Sequence, residues 1–172
     1  LKKRAKRLSK LLFARKIFNE CDLKKNPKRA LAIMLQTTDG KRAMNIALEY
    51  IKNFNGLIMS TCLDENLNQF GQINEGAIST KMGLEPCPEL AEEVMILRDL
   101  SILRYTNSKL HISTISTSNA VKNIKKAKKE KLNISTDVAA HQIILTDKLF
   151  TKFDSNLKVI PPVRNEKTRL AL

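Results

Sequence analysis

Apolar positions change their spacing several times along the chain, and each change marks an element. ALAIML over 30–35 is short and continuously apolar, as a strand covered on both faces would be. After TTDG, apolar residues recur at Ala43, Ile46, Ala47, Tyr50 and Ile51, the spacing of a helix with one apolar face. GLIMST over 56–61 is again short and apolar. A polar connection, CLDENLNQFGQINEGAISTKMGLEPCP, leads into ELAEEVMILRDLSILRYT over 89–106, a long helical stretch with Pro88 at its start. KLHISTIST over 109–117 alternates and then ends in hydroxyl residues, the pattern of a strand that presents side chains at its C-terminal end. A helix over 118–130 follows, with Ala120, Val121, Ile124 and Ala127 on one face, then a strand LNISTDVA over 132–139 and a loop to LKVIPP.

Strands separated by helices of about ten to eighteen residues predict βαβ units and a parallel sheet. A doubly wound sheet and part of a (β/α)8 barrel both satisfy that order. The polar residues favour the barrel: Thr38 and Asp39, Ser60 and Thr61, Ser113 and Thr114, and the stretch from Asp137 to His141 all fall at predicted strand C-terminal ends, where barrels assemble their sites. The chain contains neither GxGxxG nor GxxxxGK[ST], so nothing suggests a phosphate-cradling loop.

Composition narrows the class. At 172 residues with 42% apolar content the chain is long enough to bury one core, and no window approaches the roughly 18 unbroken apolar residues of a membrane span. Cys21, Cys62 and Cys87 share no metal-ligand spacing and are odd in number, which fits reduced thiols and a cytoplasmic setting. The net charge of +14 is uneven: residues 1–29 hold twelve Lys or Arg against Glu20 and Asp22, leaving +4 for the remainder. That segment carries Leu1, Ala5, Leu8 and Leu12 at helical spacing and reads as a basic amphipathic helix, distinct from the domain over 30–172. It could dock on the domain, contact an anionic surface or RNA, or serve as a transit-like segment. Aromatic content of 5% without Trp, and the absence of stacking rings interleaved with any basic run, argue against a nucleic-acid partner, and KNIKKAKKEK over 122–131 reads as a solvated helix face. The chain begins without Met and ends at TRLAL, so both ends look like cuts through something longer.

From Cys62 to Arg164 the order and spacing of GQINEGAISTKMGLEPCPELAEEVMILRDL, LHISTIST, KLNISTDVAAHQIILTD and KVIPPVRNEKTRLAL resemble dihydroorotase, a barrel enzyme of the amidohydrolase superfamily. The resemblance covers about residues 30–172, is weaker at TTDG and does not extend to the basic segment. It implies a partial (β/α)8 barrel, a zinc-dependent hydrolysis of the cyclic amide of dihydroorotate to N-carbamoyl-aspartate, and a place in pyrimidine biosynthesis. It also implies metal ligands that this chain mostly lacks. The family's turn Asp falls on Asp39; the His of its HCED motif falls on Thr61, and the His of its HVST motif on Thr114, with His111 three positions earlier at a non-ligand position. The first-strand HxH and the terminal Asp find no counterpart here.

The consequences are chemical. A family site uses its metals to polarise the amide and to acidify bound water. A neutral Thr hydroxyl is a far poorer zinc donor than imidazole, so zinc is expected in the family and not in this chain. The family's KxNPPLR motif binds the pyrimidine ring with its Asn, where KVIPPVR places Ile160, and a sec-butyl group makes no such hydrogen bonds. The remaining candidates have plainer readings: Asp39 as a turn former or vestigial ligand, His141 as a loop anchor or substrate contact, Arg164 as a loop brace or carboxylate contact. Glu75 and the pair Arg98 and Asp99 are expected to tie loop to helix, and Cys62 to be a small buried hydrophobe. Two functions follow: a dihydroorotase impaired in this chain, or a non-catalytic scaffold that associates with aspartate carbamoyltransferase. A third is a barrel remnant held to an anionic surface through residues 1–29. A partial barrel also exposes strand edges and is expected to form homo-oligomers, aggregate or be completed by further sequence.

Overall fold

The computed structural model describes residues 40–150 and 153–172. The apolar run at 30–35, residues 37–39 of the TTDG turn and the basic segment lie outside them.

Helix α1, Gly40–Lys52, turns Met44, Ala47, Leu48 and Ile51 inward at helical spacing, and Gly56 closes its end by donating its N–H to the Ile51 carbonyl. Strand β1, Ile58–Thr61, follows directly. The polar connection is not structureless: it holds α2 (Glu65–Asn68), capped by the Asp64 carboxylate, a two-residue parallel pair of β2 (Ile73–Asn74) with β3 (Pro86–Cys87), and α3 (Ala77–Met82) between them. Gly83 ends α3 at φ 64, a left-handed position that glycine adopts without steric cost.

Helix α4, Glu89–Thr106, occupies the predicted span and ends at Asn107 in the left-handed region. Strand β4 (Leu110–Ser113) leads to α5 (Ser118–Lys129), whose first turn is capped by the Thr117 hydroxyl accepting from the Ala120 N–H. Strand β5 is Ile134–Thr136, shorter than the predicted 132–139. Two local hydrogen-bonding demands shorten it. The Leu132 N–H is used to terminate α5 on the Ala127 carbonyl, and Asp137 turns to receive the Ile115 N–H on its carbonyl. Beyond β5 come α6 (Ala140–Ile144), two 3-10 turns and α7 (Glu166–Arg169); the predicted approach through LKVIPP is irregular, with a cis Ile160–Pro161 bond.

The main sheet is parallel in the order β1-β4-β5, its neighbours joined by helical crossovers. Register fixes its two faces. Ile58, Leu110 and Ile112 face the helices and pack with Leu48, Ile51, Ile96, Leu100, Leu103, Ile124 and Ala127 into the principal core. Met59, His111 and Ser135 form a row on the opposite face, with Thr61 and Ser113 above them. A second small core of Ile73, Phe150 and Val163 lies beneath the β2 and β3 loops. This is an arc of an α/β barrel, strands inside and helices outside.

Candidate functional site

The C-terminal ends of β1, β4 and β5 lie side by side and bring several of the predicted positions together. Thr61 ends β1 opposite Ser113, and its side chain is exposed. Thr114 follows β4 with φ 54, a left-handed conformation that is costly for a β-branched residue. Its N–H donates to Asp137 Oδ1. His111, one row lower, bridges Ser135 Oγ at 2.8 Å through Nδ1 and Asp137 Oδ2 at 3.0 Å through Nε2. The Thr114 N–H, and after it His111, holds the half-exposed Asp137 carboxyl below its usual range. Asp137 thus ties β4 to β5 at the mouth. Asp39 lies outside the described residues.

Beneath the mouth sits a buried polar network. Glu92 is in the first turn of α4 and 1% exposed, and its carboxylate accepts the N–H groups of Ser116 and Thr117 at 2.9 and 3.1 Å, together with both of their hydroxyls. The turn leading into α5 is therefore held by a carboxylate on another helix. Burial pushes the Glu92 carboxyl up, against the opposing pull of the Ser116 hydrogen bonds and of Arg164. Arg164, also 1% exposed, donates from Nε to Ser116 Oγ at 3.0 Å and from Nη1 to Asn74 Oδ1 at 3.1 Å and the Cys87 carbonyl at 2.9 Å. Its Nη2 stands 3.9 Å from Glu92. Asn74 in turn donates to Asp147 Oδ2 at 3.1 Å, and the Asp147 N–H returns to the Arg164 carbonyl at 3.0 Å. One arginine joins β2, β3, the α5 turn and the C-terminal loop.

A second buried carboxylate performs a similar task at β1. Asp99 accepts from Ser60 Oγ at 3.1 Å and from Cys62 Sγ at 3.4 Å, and pairs with Arg98 at 2.5 Å. Burial, and then the Asp99 charge, push the Cys62 thiol well above its ordinary value, and the buried thiol donates to Asp99. Asp99 ties α4 to β1 and the residue after it, where a tie from loop to helix was expected, and Arg98 reaches only its helix neighbour Asp99. Glu75 does not share that role: it is exposed, and its neighbour Asn74 enters the network instead. His141 is partly buried with Nε2 unpaired, and the loop anchor is the adjacent Gln142, which donates to the carbonyls of Pro161 and Pro162 at 2.8 and 3.1 Å. Ile160 is 65% exposed just before them.

Glu92, Asn74, Ser116, Asp147 and Gln142 had no assigned role from sequence. A signal for Glu92 exists: with Ile96, Asp99 and Leu103 it falls at i, i+4, i+7 and i+11, which puts two carboxylates on the face of α4 that is otherwise apolar. Two acids on a buried stripe need dedicated partners.

Among the described residues, the donors at the mouth do not fit a catalytic zinc centre. They are Thr61 and Thr114 hydroxyls, His111 and Asp137, with the last two already engaged on each other; among the described residues no group of three or more His, Cys, Asp or Glu side chains could hold a metal ion.

No family model matches the chain. It is 41% identical over 134 residues to a dihydroorotase of Syntrophus aciditrophicus, covering 75% of this chain and 32% of that protein. It is 34% identical over 148 residues to a dihydroorotase of Streptomyces coelicolor, covering 83% and 35%. The chain thus spans about a third of the length of these relatives. Among solved structures it superposes on an L-hydantoinase (dihydropyrimidinase) from Arthrobacter aurescens with a TM-score of 0.66 at 16% identity, covering 76% of this chain and 30% of that one. A D-hydantoinase from a Bacillus sp. gives 0.65 at 16% identity, over 78% and 30%. The parallel β1-β4-β5 arc is a portion of the (β/α)8 barrel. The chain belongs to the dihydroorotase family, of which it carries part of the barrel.

Proposed function

We propose that this chain is a dihydroorotase-family protein of pyrimidine biosynthesis that keeps the barrel's framework and is catalytically impaired. The observation that carries this reading is the pairing at the mouth. Where the family's metals would be gripped by imidazoles, the ends of β1 and β4 offer Thr61 and Thr114, and Asp137 is occupied by the Thr114 N–H and His111. Hydroxyls neither hold zinc firmly nor acidify a bound water. Ile160 in place of the ring-binding Asn weakens the substrate half of the same site. Zinc is the family's cofactor and dihydroorotate its substrate; both are assigned here only to the family.

The test is bound metal per chain by elemental analysis, with cyclisation of N-carbamoyl-aspartate assayed in added zinc. Absence of both is the expected result. Stoichiometric zinc with turnover would mean that Asp39 and other residues form an unfamiliar centre, and the impairment reading would fall.

A second reading is a non-catalytic scaffold for aspartate carbamoyltransferase, favoured by retention of the buried Glu92, Ser116, Arg164 and Asn74 network that shapes the loops without touching the missing ligands. Co-sedimentation of the two purified proteins checks it, and independent sedimentation at tens of micromolar would remove it.

A further inference from the structure

Helix α5 carries Lys122, Lys125, Lys126, Lys128 and Lys129, with Lys131 just beyond it, and all six side chains are exposed. The helix itself contains no acidic residue. The neighbouring acid, Glu130, is engaged by Arg104 at 2.7 Å, and none of the six lysines forms an ion pair with a described residue. Lys122 reaches only its own helix, at Asn119 Oδ1, 3.4 Å away.

Lys122, Lys125, Lys126 and Lys129 fall at i, i+3, i+4 and i+7, so four ammonium groups share one stripe roughly 10 Å long. A stripe of that kind repels itself, and the acid acting on it, Glu130 on Lys126, is shared with Arg104. The opposite face, Ala120, Ile124 and Ala127, is buried in the core. That separates α5 from membrane-surface helices, which need an apolar face free to enter the lipid. No aromatic residue stands between the lysines, so base stacking is not available to it.

We infer that the exposed lysine stripe of α5 is a docking surface for the phosphate backbone of a nucleic acid, bound by charge alone and without sequence preference. The low aromatic content excludes a stacking reader and leaves this electrostatic mode open.

The experiment measures binding of the whole chain to a fluorescent 20-base-pair duplex as salt is raised from 50 to 200 mM. The triple variant K125Q/K126Q/K129Q is compared with a charge-matched control, K81Q/K158Q/K167Q, both first shown to melt with the native chain. Each backbone contact contributes about 0.9 to the slope of log affinity against log salt, so losing three lowers the slope by about 2.7. The α5 variant is expected to show that loss, about 40-fold less salt sensitivity across this range, while the control keeps the native slope. Equal losses in the two variants would assign binding to net charge and overturn the proposal. So would α5-dependent binding to phosphatidylserine vesicles without binding to the duplex.

Discussion

Glu92 shows how much one side chain holds in this fold. Its two oxygens take four donors from Ser116 and Thr117, so Glu92→Gln, which keeps one acceptor and turns an amide toward N–H groups, strands at least one buried donor. The expected cost is about 1–3 kcal/mol, read as a lower urea midpoint at unchanged m-value. Its titration has a definite sign. Burial raises the Glu92 carboxyl, so the folded chain holds that proton more tightly than the unfolded one; its contribution is complete below the ordinary carboxyl value and is lost as pH rises through the raised one. Asp137 has the opposite sign, because its lowered value makes its contribution complete above the ordinary value and lost as pH falls through the depressed one. Denaturation midpoints of Asp137→Asn should therefore fall less steeply than the native chain's on the acid side. An unchanged acid limb would deny that the Thr114 N–H and His111 favour the ionised form.

At the scale of elements, the end of α5 makes a separate prediction. Lys131 sits at φ 61 where the Leu132 N–H closes on the Ala127 carbonyl, a position glycine occupies without the Cβ penalty. Lys131→Gly is expected to raise stability by up to about 1 kcal/mol, visible as a higher melting temperature. At the other end, Thr117→Ala removes both the N-cap and a Glu92 partner and should cost about 1–2 kcal/mol by the same measurement. Much at this scale was legible in the chain. The spans of α1 and α5 follow their periodicity because each buries one apolar stripe, and α4 begins where Pro88 at its entry placed it. The β2 and β3 pair escaped notice because two-residue strands carry no period, and β5 was overestimated because its flanks are claimed by the α5 terminator and the Asp137 turn.

For the whole molecule, the consequence is an arc whose inner row, Met59, His111 and Ser135, faces away from the packed helices, with Met59 58% exposed. Among the described residues β1 and β5 each pair on one side only. Open edges and an apolar inner residue favour association, so sedimentation velocity should show mass rising with concentration, and Met59→Glu should reduce it. A monomer at all concentrations would mean that the edges are already covered. No helix of the described residues is long and apolar enough to cross a membrane.

By itself the sequence determined the alternation of strands and helices and the collection of polar groups at strand C-terminal ends. These are local or positional properties, readable from period, turn chemistry and residue type. The tertiary structure alone decided which groups answer one another: that Glu92 holds the α5 turn, that Arg164 turns inward to Asn74 and Cys87, and that Asp137 is taken by His111 and the Thr114 N–H. The partners of Glu92 lie 24 or 25 residues away and those of Arg164 as many as 90. No local period carries such a pairing; it appears when burial forces each polar group to find the donor or acceptor that the fold has brought within reach.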